Sequence, residues 1–170
     1  MFKKVCIIGC GLIGSSIARA IRKQNLSAKI VSSNRSDSVN KKVIELKIVD
    51  DSNSDTIKMA AGSDLIIIAT PLSSYEDIIL KIKDSLKNGS ILTDVSSVKE
   101  NVISLIEKNV PKNVSWISSH PIAGTEESGP EAGFSELFEN RWCILTPSKK
   151  VSDKDIKLLE TFWKKMGSKV

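Results

Sequence analysis

Short apolar runs alternate with longer amphipathic stretches along the chain. Runs such as Val5–Ile8 and Leu65–Ala69 are continuous and rich in β-branched residues, which is typical of strands buried on both faces. Between the runs, apolar residues recur at helical spacing. The pattern predicts strands at Lys4–Ile8, Lys29–Val31, Leu65–Ala69, Ser90–Val95, Val114–Ser118 and Arg141–Thr146, with helices at Leu12–Lys23, from Ser36 or Ser38 to about Lys47, at Glu76–Leu86 and Lys99–Lys108, and from Ser152 to Gly167.

The alternation also predicts the topology. Strands separated by helices of about ten residues or more need crossover connections, so we expect a doubly wound α/β fold with a mostly parallel sheet. Ligands of such sheets bind at the carboxyl ends of the strands. The periodicity is lost over Pro121–Gly133, which we interpret as a long loop, while Ser168–Val170 resembles the start of a further strand. We therefore expect residues 1–170 to form one domain, truncated at its C-terminal end.

Composition excludes several classes of protein. With 41% hydrophobic and 26% charged residues, the 170-residue chain is typical of one globular domain rather than a disordered chain. It has neither an apolar run of about 20 residues nor a secretory signal, so we expect a cytoplasmic protein without a membrane partner. Much of the net charge of +5 lies beyond Lys149, which we interpret as a solvated helix face rather than a nucleic-acid site. Three cysteines and one histidine predict reduced thiols and no metal site.

The most distinctive motif is a GxGxxG loop placed between the first strand and the first helix. Gly9 permits a tight turn, Gly11 lets a pyrophosphate approach the backbone, and Gly14 lets the helix lie close to the strand. The backbone of Leu12 and Ile13 opens the helix, whose N-terminus attracts phosphate. The motif and its context indicate a dinucleotide-binding domain of the Rossmann type; the alternative is a glycine turn that binds nothing.

The end of the second strand bears on which dinucleotide binds. NAD sites usually have an acid about twenty residues beyond the glycines, where it accepts hydrogen bonds from the ribose. Here the position is Asn34, which can still bond a ribose hydroxyl but carries no charge to repel a 2′-phosphate. Arg35 and Ser36 can bind that phosphate. We therefore expect NADP rather than NAD, unless Arg35 stacks on the adenine or faces solvent.

The lone histidine follows a predicted strand. A single histidine is more often structural than catalytic. His120, however, comes at the carboxyl end of a strand, near which the reacting carbon must lie. A neutral imidazole is also suited to the transfer of a hydroxyl proton. Thr70 and Pro71 follow the third parallel strand at the same edge, and Ser97 follows the next. Ser97 either contacts the substrate or, with Ser96, caps the following helix; both roles are compatible. Two further side chains have alternative roles. Lys99 either attracts an anionic substrate or is an exposed first-turn lysine. Glu126 either tunes the imidazole of His120 or gates access to it, or it is a solvated loop carboxylate.

At these residues the chain is similar to the prephenate and arogenate dehydrogenases of tyrosine biosynthesis. The matching segments are Val5–Ser16, Ala69–Pro71, Asp94–Lys99 and, most specifically, Ser119–Glu126. The resemblance implies oxidative decarboxylation of prephenate or arogenate with NAD(P). It also implies that His120 bonds the ring hydroxyl and assists hydride transfer, that Ser97 lies near that hydroxyl, and that Thr125 and Glu126 line the substrate pocket.

Two departures from the family are visible. Asn34 stands where the family usually has an acid. Family members also continue into a helical domain that forms a homodimer and supplies an arginine for the substrate carboxylate; we do not assign that role to Arg141. A chain limited to these residues is therefore expected to bind nucleotide and to turn over poorly. The alternatives are another NAD(P)-dependent dehydrogenase of the β-hydroxyacid type and a non-catalytic NAD(P)-sensing module.

Overall fold

The computed structural model describes residues 1–98, 100–148 and 150–170, and for residues 100–103 it describes the backbone alone. Strands and helices alternate over most of the chain, as the sequence predicts. The strands are β1 (Phe2–Ile8), β2 (Ser27–Ser33), β3 (Asp51–Asn53), β4 (Leu65–Ile68), β5 (Ile91–Asp94), β6 (Ser115–Pro121) and β7 (Cys143–Pro147). The helices are α1 (Leu12–Lys23), α2 (Asp37–Glu45), α3 (Thr56–Ala60), α4 (Tyr75–Ile82), α5 (Glu100–Asn109) and α6 (Asp153–Lys165).

The strands form one sheet in the order β3-β2-β1-β4-β5-β6-β7. Every described neighbouring pair is parallel except β6 and β7, which are antiparallel. The chain thus winds outward from β1 in both directions, which confirms the predicted doubly wound, mostly parallel fold of the Rossmann type. The carboxyl ends of β1, β2, β4, β5 and β6 consequently lie at one edge of the sheet.

The central strands are buried on both faces, which explains their unbroken apolar character. In β4, Leu65 and Ile67 pack into the core on one face of the sheet, while Ile66 and Ile68 pack into the core on the other. Side chains alternate between faces along a strand, so both layers need apolar residues from the same run. On one face, α6 contributes Phe162 and Trp163, whose rings meet edge to face.

β3 and α3 were not predicted, and β1, β2 and β6 extend beyond their predicted bounds. β3 and α3 are short, and β3 consists of three polar residues at the sheet edge, where apolar side chains are not required. The prediction that His120 follows its strand is wrong, because β6 runs on to Pro121. Its last residues pair with β7, His120 opposite Ile144 and Pro121 opposite Cys143. Lys169 forms a parallel bridge with Trp142 beside β7.

The connection between β6 and β7, residues 122–142, packs against α1 over its second half. A Cβ on Gly133 would collide with the side chain of Ser15, so only glycine fits this contact without rearrangement. The backbone N–H of Phe134 donates to Ser16 Oγ (3.1 Å), and Arg19 donates to the carbonyl oxygen of Pro130 (3.3 Å). The predicted loop is therefore irregular in backbone but anchored on the helix that follows the glycine motif.

A buried carboxylate joins β5 to β6 at their carboxyl ends. In the described residues, the ladder between these strands pairs Ile91 with Ser115 and Leu92 with Trp116. Beyond it, Asp94 Oδ1 accepts from Ser118 Oγ (2.7 Å) and from the backbone N–H of Ser119 (3.1 Å). Asp94 is fully buried, so these bonds are protected from competing water. The carboxylate thus connects the two strands beyond the last pair of the ladder and fixes the end of β6.

Replacing Asp94 by asparagine is expected to lower the free energy of unfolding by about 2 kcal/mol, since hydrogen bonds to a charged acceptor contribute roughly 1.5–3 kcal/mol each and an amide nitrogen would face buried donors. Urea denaturation followed by circular dichroism measures the change. Asp84→Asn, a substitution of the same kind at an exposed position, should remain within about 0.5 kcal/mol of the unaltered chain. Equal stabilities for the two variants would contradict this role of Asp94.

Candidate active site

The predicted site residues meet at the carboxyl edge of the sheet. The glycine loop follows β1, Asn34 follows β2, Thr70 follows β4 and Ser97 follows β5. His120 is the next-to-last residue of β6. Because the sheet is parallel up to β6, these positions line one edge in the strand order. The chain therefore brings a dinucleotide motif and its lone histidine to the same side of the fold.

The glycine loop has the geometry that the motif predicts. Gly9 has a φ of +93°, and a Cβ there would lie 2.7 Å from Thr70 Cγ2 and 2.9 Å from the carbonyl oxygen of Ala69. A Cβ on Gly14 would collide with the carbonyl oxygen of Gly9, so Gly14 permits α1 to start directly over the loop. Gly11, in contrast, is exposed, and no heavy atom lies within 4 Å of where its Cβ would be. The loop backbone is therefore open at the glycine where a pyrophosphate is expected.

The first residues of α1 present backbone rather than side chains to this opening. Gly11 is the N-cap and makes no side-chain capping bond, and the side chains of Leu12 and Ile13 pack against the core. The first N–H groups of a helix have no partner within the helix, which suits them to bind an anion. Thr70 lies against Gly9 and accepts a hydrogen bond from Ser74 Oγ (2.8 Å), whereas Pro71 is exposed.

The residues after β2 divide into one buried side chain and two exposed ones. Asn34 is 7% exposed, and its Oδ1 accepts from the backbone N–H of Cys10 at 2.6 Å, inside the glycine loop. The expected contact between Asn34 and a ribose therefore competes with bonds that the side chain already makes. Arg35 and Ser36 are exposed, and Ser36 is the N-cap of α2 with its Oγ 2.7 Å from Ser38 Oγ.

The thiols near the site are buried and protonated at neutral pH. Burial raises the pKa of Cys6 to about 12 and that of Cys10 to about 11, because the thiolate would lose its hydration. No disulfide joins Cys6, Cys10 and Cys143. Cys10 therefore contributes packing and a backbone N–H to the loop rather than a nucleophile.

His120 lines a cavity of about 390 Å³ with residues of the following loop and one residue from before β7. Its walls are His120, Pro121, Ile122, Ala123, Gly124 and Arg141. The antiparallel pairing of β6 with β7 brings Arg141 beside the histidine. Ile122 in this wall is 50% exposed, and so is Ile144, which pairs with His120. Trp142, whose carbonyl oxygen accepts from the Ile122 N–H, is 57% exposed. The histidine thus lies in a cavity that combines apolar walls with one cation.

Sequence reasoning did not assign Arg141 to the site. It also missed Asp94, which holds the end of β6, and Asn40, whose Oδ1 accepts from Asn34 Nδ2 (3.0 Å). Arg141 reaches the cavity through an antiparallel pairing that no local pattern reveals. A larger cavity of about 460 Å³ lies between α2 and β3 and is lined by none of the predicted site residues.

The serines after β5 have separate environments. Ser96 Oγ donates to Asp94 Oδ2 (2.6 Å) and lies 3.2 Å from the carbonyl oxygen of Val98, so Ser96 stabilises the turn. Ser97 is exposed at the sheet edge, and Lys99 lies outside the described residues. Thr125 and Glu126 are also exposed, and Thr125 Oγ1 accepts from the backbone N–H of Glu127 (3.2 Å). The structure places these two residues after the His120 cavity rather than in its walls.

Among the residues that the structure describes, no three His, Cys, Asp or Glu side chains form a group that could hold a metal ion. No helix in this part of the chain is both long enough and apolar enough to span a bilayer.

Comparison with known proteins gives consistent results. The curated cyclohexadienyl dehydrogenase of Zymomonas mobilis is 32% identical over the whole chain, which covers 58% of that protein. Among solved structures, prephenate dehydrogenase from Aquifex aeolicus in complex with hydroxyphenyl propionate and NAD+ superposes with a TM-score of 0.92 and 29% identity. The match covers 100% of this chain and 59% of that one.

Arogenate dehydrogenase from Synechocystis also superposes, with a TM-score of 0.90 and 26% identity over 98% of this chain and 58% of that chain. The chain thus spans less than two thirds of these relatives. The sequence profile of the family described as prephenate dehydrogenase, nucleotide-binding domain, matches residues 17–170. This match covers most of the chain, and the chain belongs to that family.

Proposed function

We propose that this chain is the nucleotide-binding part of a prephenate or arogenate dehydrogenase, an NAD(P)-dependent oxidoreductase that decarboxylates its substrate as it oxidises it. The observation that carries the proposal is the placement of His120 at the sheet edge that also carries the open glycine loop. The names of the relatives support the reaction. The cavity beside His120 has Pro121, Ile122 and Ala123 in its walls, and these residues offer apolar surface to a ring.

The residues present fit a dinucleotide. Gly9 gives the turn after β1, Gly11 leaves the loop backbone open, and Gly14 brings the N-terminus of α1 over the loop. When bound, an oxidised nicotinamide supplies the acceptor for hydride. The role of the protein is then to hold the phosphates against the loop and to keep the two reactants in line.

His120 supplies the acid–base chemistry. As hydride leaves the ring carbon that bears the hydroxyl, the proton of that hydroxyl needs an acceptor, and a neutral imidazole is suited to take it. Ser97 is a hydrogen-bonding partner for the same hydroxyl, and Thr125 and Glu126 approach the substrate from the loop after β6. Loss of CO2 makes the ring aromatic and draws the reaction forward.

We further propose that the chain prefers NADP. Asn34, the first residue after β2, is neutral, and Arg35 and Ser36 are exposed beside it. A guanidinium and a hydroxyl together suit a 2′-phosphate, whereas an acid at the first position would repel it.

The complete protein is proposed to be a cytoplasmic homodimer, since the family resemblance implies a helical domain that dimerises. Sedimentation velocity of the protein at its natural length gives the oligomeric state directly.

Removing the Arg35 guanidinium is expected to weaken NADP binding about tenfold and NAD binding less than twofold, because only NADP presents a phosphate to it. Calorimetric titration of the unaltered chain and of Arg35→Ala with both nucleotides measures the four dissociation constants. Lys41→Ala is the matched control, since it removes an exposed cation from the next turn of α2. Tighter binding of NAD than of NADP by the unaltered chain would contradict the proposed preference.

Replacing His120 by asparagine is expected to lower kcat with prephenate or arogenate at least 100-fold, while the dissociation constant for the dinucleotide changes less than twofold. Steady-state kinetics on the protein at its natural length gives the first value, and calorimetry gives the second. Glu127→Gln, an exposed change in the same loop, serves as the control. A protein that binds nucleotide but turns over neither compound, before and after the change, would favour the NAD(P)-sensing alternative.

A further inference from the structure

The amide of Asn34 has partners inside the protein at both ends. Its Oδ1 accepts from the backbone N–H of Cys10 (2.6 Å), and its Nδ2 donates to Asn40 Oδ1 (3.0 Å). Ser32 Oγ and Ser52 Oγ each lie 3.3 Å from the same Nδ2. The donor side of the amide therefore faces into the fold, and the acceptor side faces the glycine loop.

Asn40, on the first turns of α2, holds the Asn34 amide in that orientation. Asn40 Nδ2 donates to the backbone carbonyl oxygen of Asn34 (3.0 Å), and Asn40 Oδ1 also accepts from Ser52 Oγ (2.7 Å). The two asparagines are 7% and 5% exposed. Rotation of either amide by half a turn would set donor against donor and acceptor against acceptor, so the network has one satisfied arrangement.

The network acts on the part of the loop that approaches a pyrophosphate. Cys10 lies between the turn glycine, Gly9, and the open glycine, Gly11. The backbone N–H of Gly9 donates to the carbonyl oxygen of Ser33 (2.9 Å), and the next N–H, that of Cys10, donates to Asn34. The end of β2 thus holds two consecutive residues of the glycine loop, the first through its backbone and the second through a side chain.

We propose that Asn34 and Asn40 are positioning residues that brace the glycine loop, and that Asn34 acts on the dinucleotide through Cys10 rather than as a ligand of the ribose. This inference rests on the proposed nucleotide binding. If Asn34 bound the ribose directly, its contribution to affinity would not depend on Asn40. A brace depends on Asn40, which lies on the far side of Asn34 from the loop, and it acts on the pyrophosphate that NAD and NADP share. The two nucleotides should therefore lose affinity by the same factor when the brace is broken.

A double-mutant cycle tests the brace. Asn34→Ala and Asn40→Ala are each expected to raise the dissociation constants of NADP and NAD five- to tenfold by calorimetry, and the double variant to bind no more than about twofold worse than either single variant. Non-additivity of this kind identifies residues that act as one unit. Asn109→Ala is the matched control, since it removes a partly buried asparagine whose side chain bonds only the carbonyl oxygen of Leu105 within α5 among the described residues; its effect should be less than twofold.

A second measurement needs no nucleotide. Amide hydrogen exchange followed by NMR should show the Cys10 N–H exchanging at least tenfold faster in Asn40→Ala than in the unaltered chain, although Asn40 does not touch Cys10. Asn40→Asp keeps the volume of the side chain and its acceptor to Asn34, but it replaces the donor by an acceptor oxygen and adds a negative charge, so the bond to the Asn34 carbonyl oxygen is lost. This variant is expected to shift both readouts in the same direction even if the alanine variant folds poorly.

Several outcomes would overturn the inference. Weaker binding in Asn34→Ala with unchanged binding in Asn40→Ala would identify Asn34 as a direct ligand. Fully additive losses would show two independent contacts, and unchanged exchange at Cys10 would show that Asn40 does not hold the loop. If the unaltered chain bound neither nucleotide while Cys10 exchange still depended on Asn40, the proposed nucleotide binding would fail and the brace itself would remain.

Discussion

The position of His120 depends on the buried carboxylate of Asp94. A parallel ladder fixes neighbouring strands only as far as it extends, and the β5–β6 ladder covers Ile91 and Leu92 of β5. Asp94 extends this connection by two further residues of β6, through Ser118 Oγ and the Ser119 N–H. The strand then continues into His120, which pairs with Ile144 on its other side. The histidine is therefore held between a side-chain acceptor and an antiparallel strand.

The glycine loop and the histidine cavity are also joined by the β6–β7 connection. This segment leaves β6 beside His120 and then packs on α1, where Gly133 lies against Ser15 and Phe134 bonds Ser16. These serines are on the helix that begins in the glycine motif. A displacement of α1 would consequently be transmitted to the segment that follows the histidine. The contact between Gly133 and Ser15 is stiff, because close-packed atoms cannot move without overlapping their neighbours.

How much was predictable from sequence differs from element to element. Buried parallel strands such as Leu65–Ile68 need apolar residues on both faces, so a continuous run identified them. β3 was missed because an edge strand of polar residues has no such pattern. The extension of β6 to Pro121 depends on β7, whose pairing residues lie more than twenty positions away in sequence. For the same reason, spacing identified the glycines but could not show that Asn34 turns inward to Cys10 and Asn40.

Asp94 and Asn34 illustrate one physical device used at two places on the sheet edge. Each side chain follows or ends a strand and accepts a hydrogen bond from a backbone N–H just beyond the neighbouring ladder, Ser119 for Asp94 and Cys10 for Asn34. At both places the backbone ladder has already ended, at Ile8 and Ser33 for β1 and β2 and at Leu92 and Trp116 for β5 and β6. A side-chain acceptor therefore satisfies an N–H beyond the ladder. The backbone at this edge of the sheet is thus held in place where a loop begins or a strand continues past its ladder.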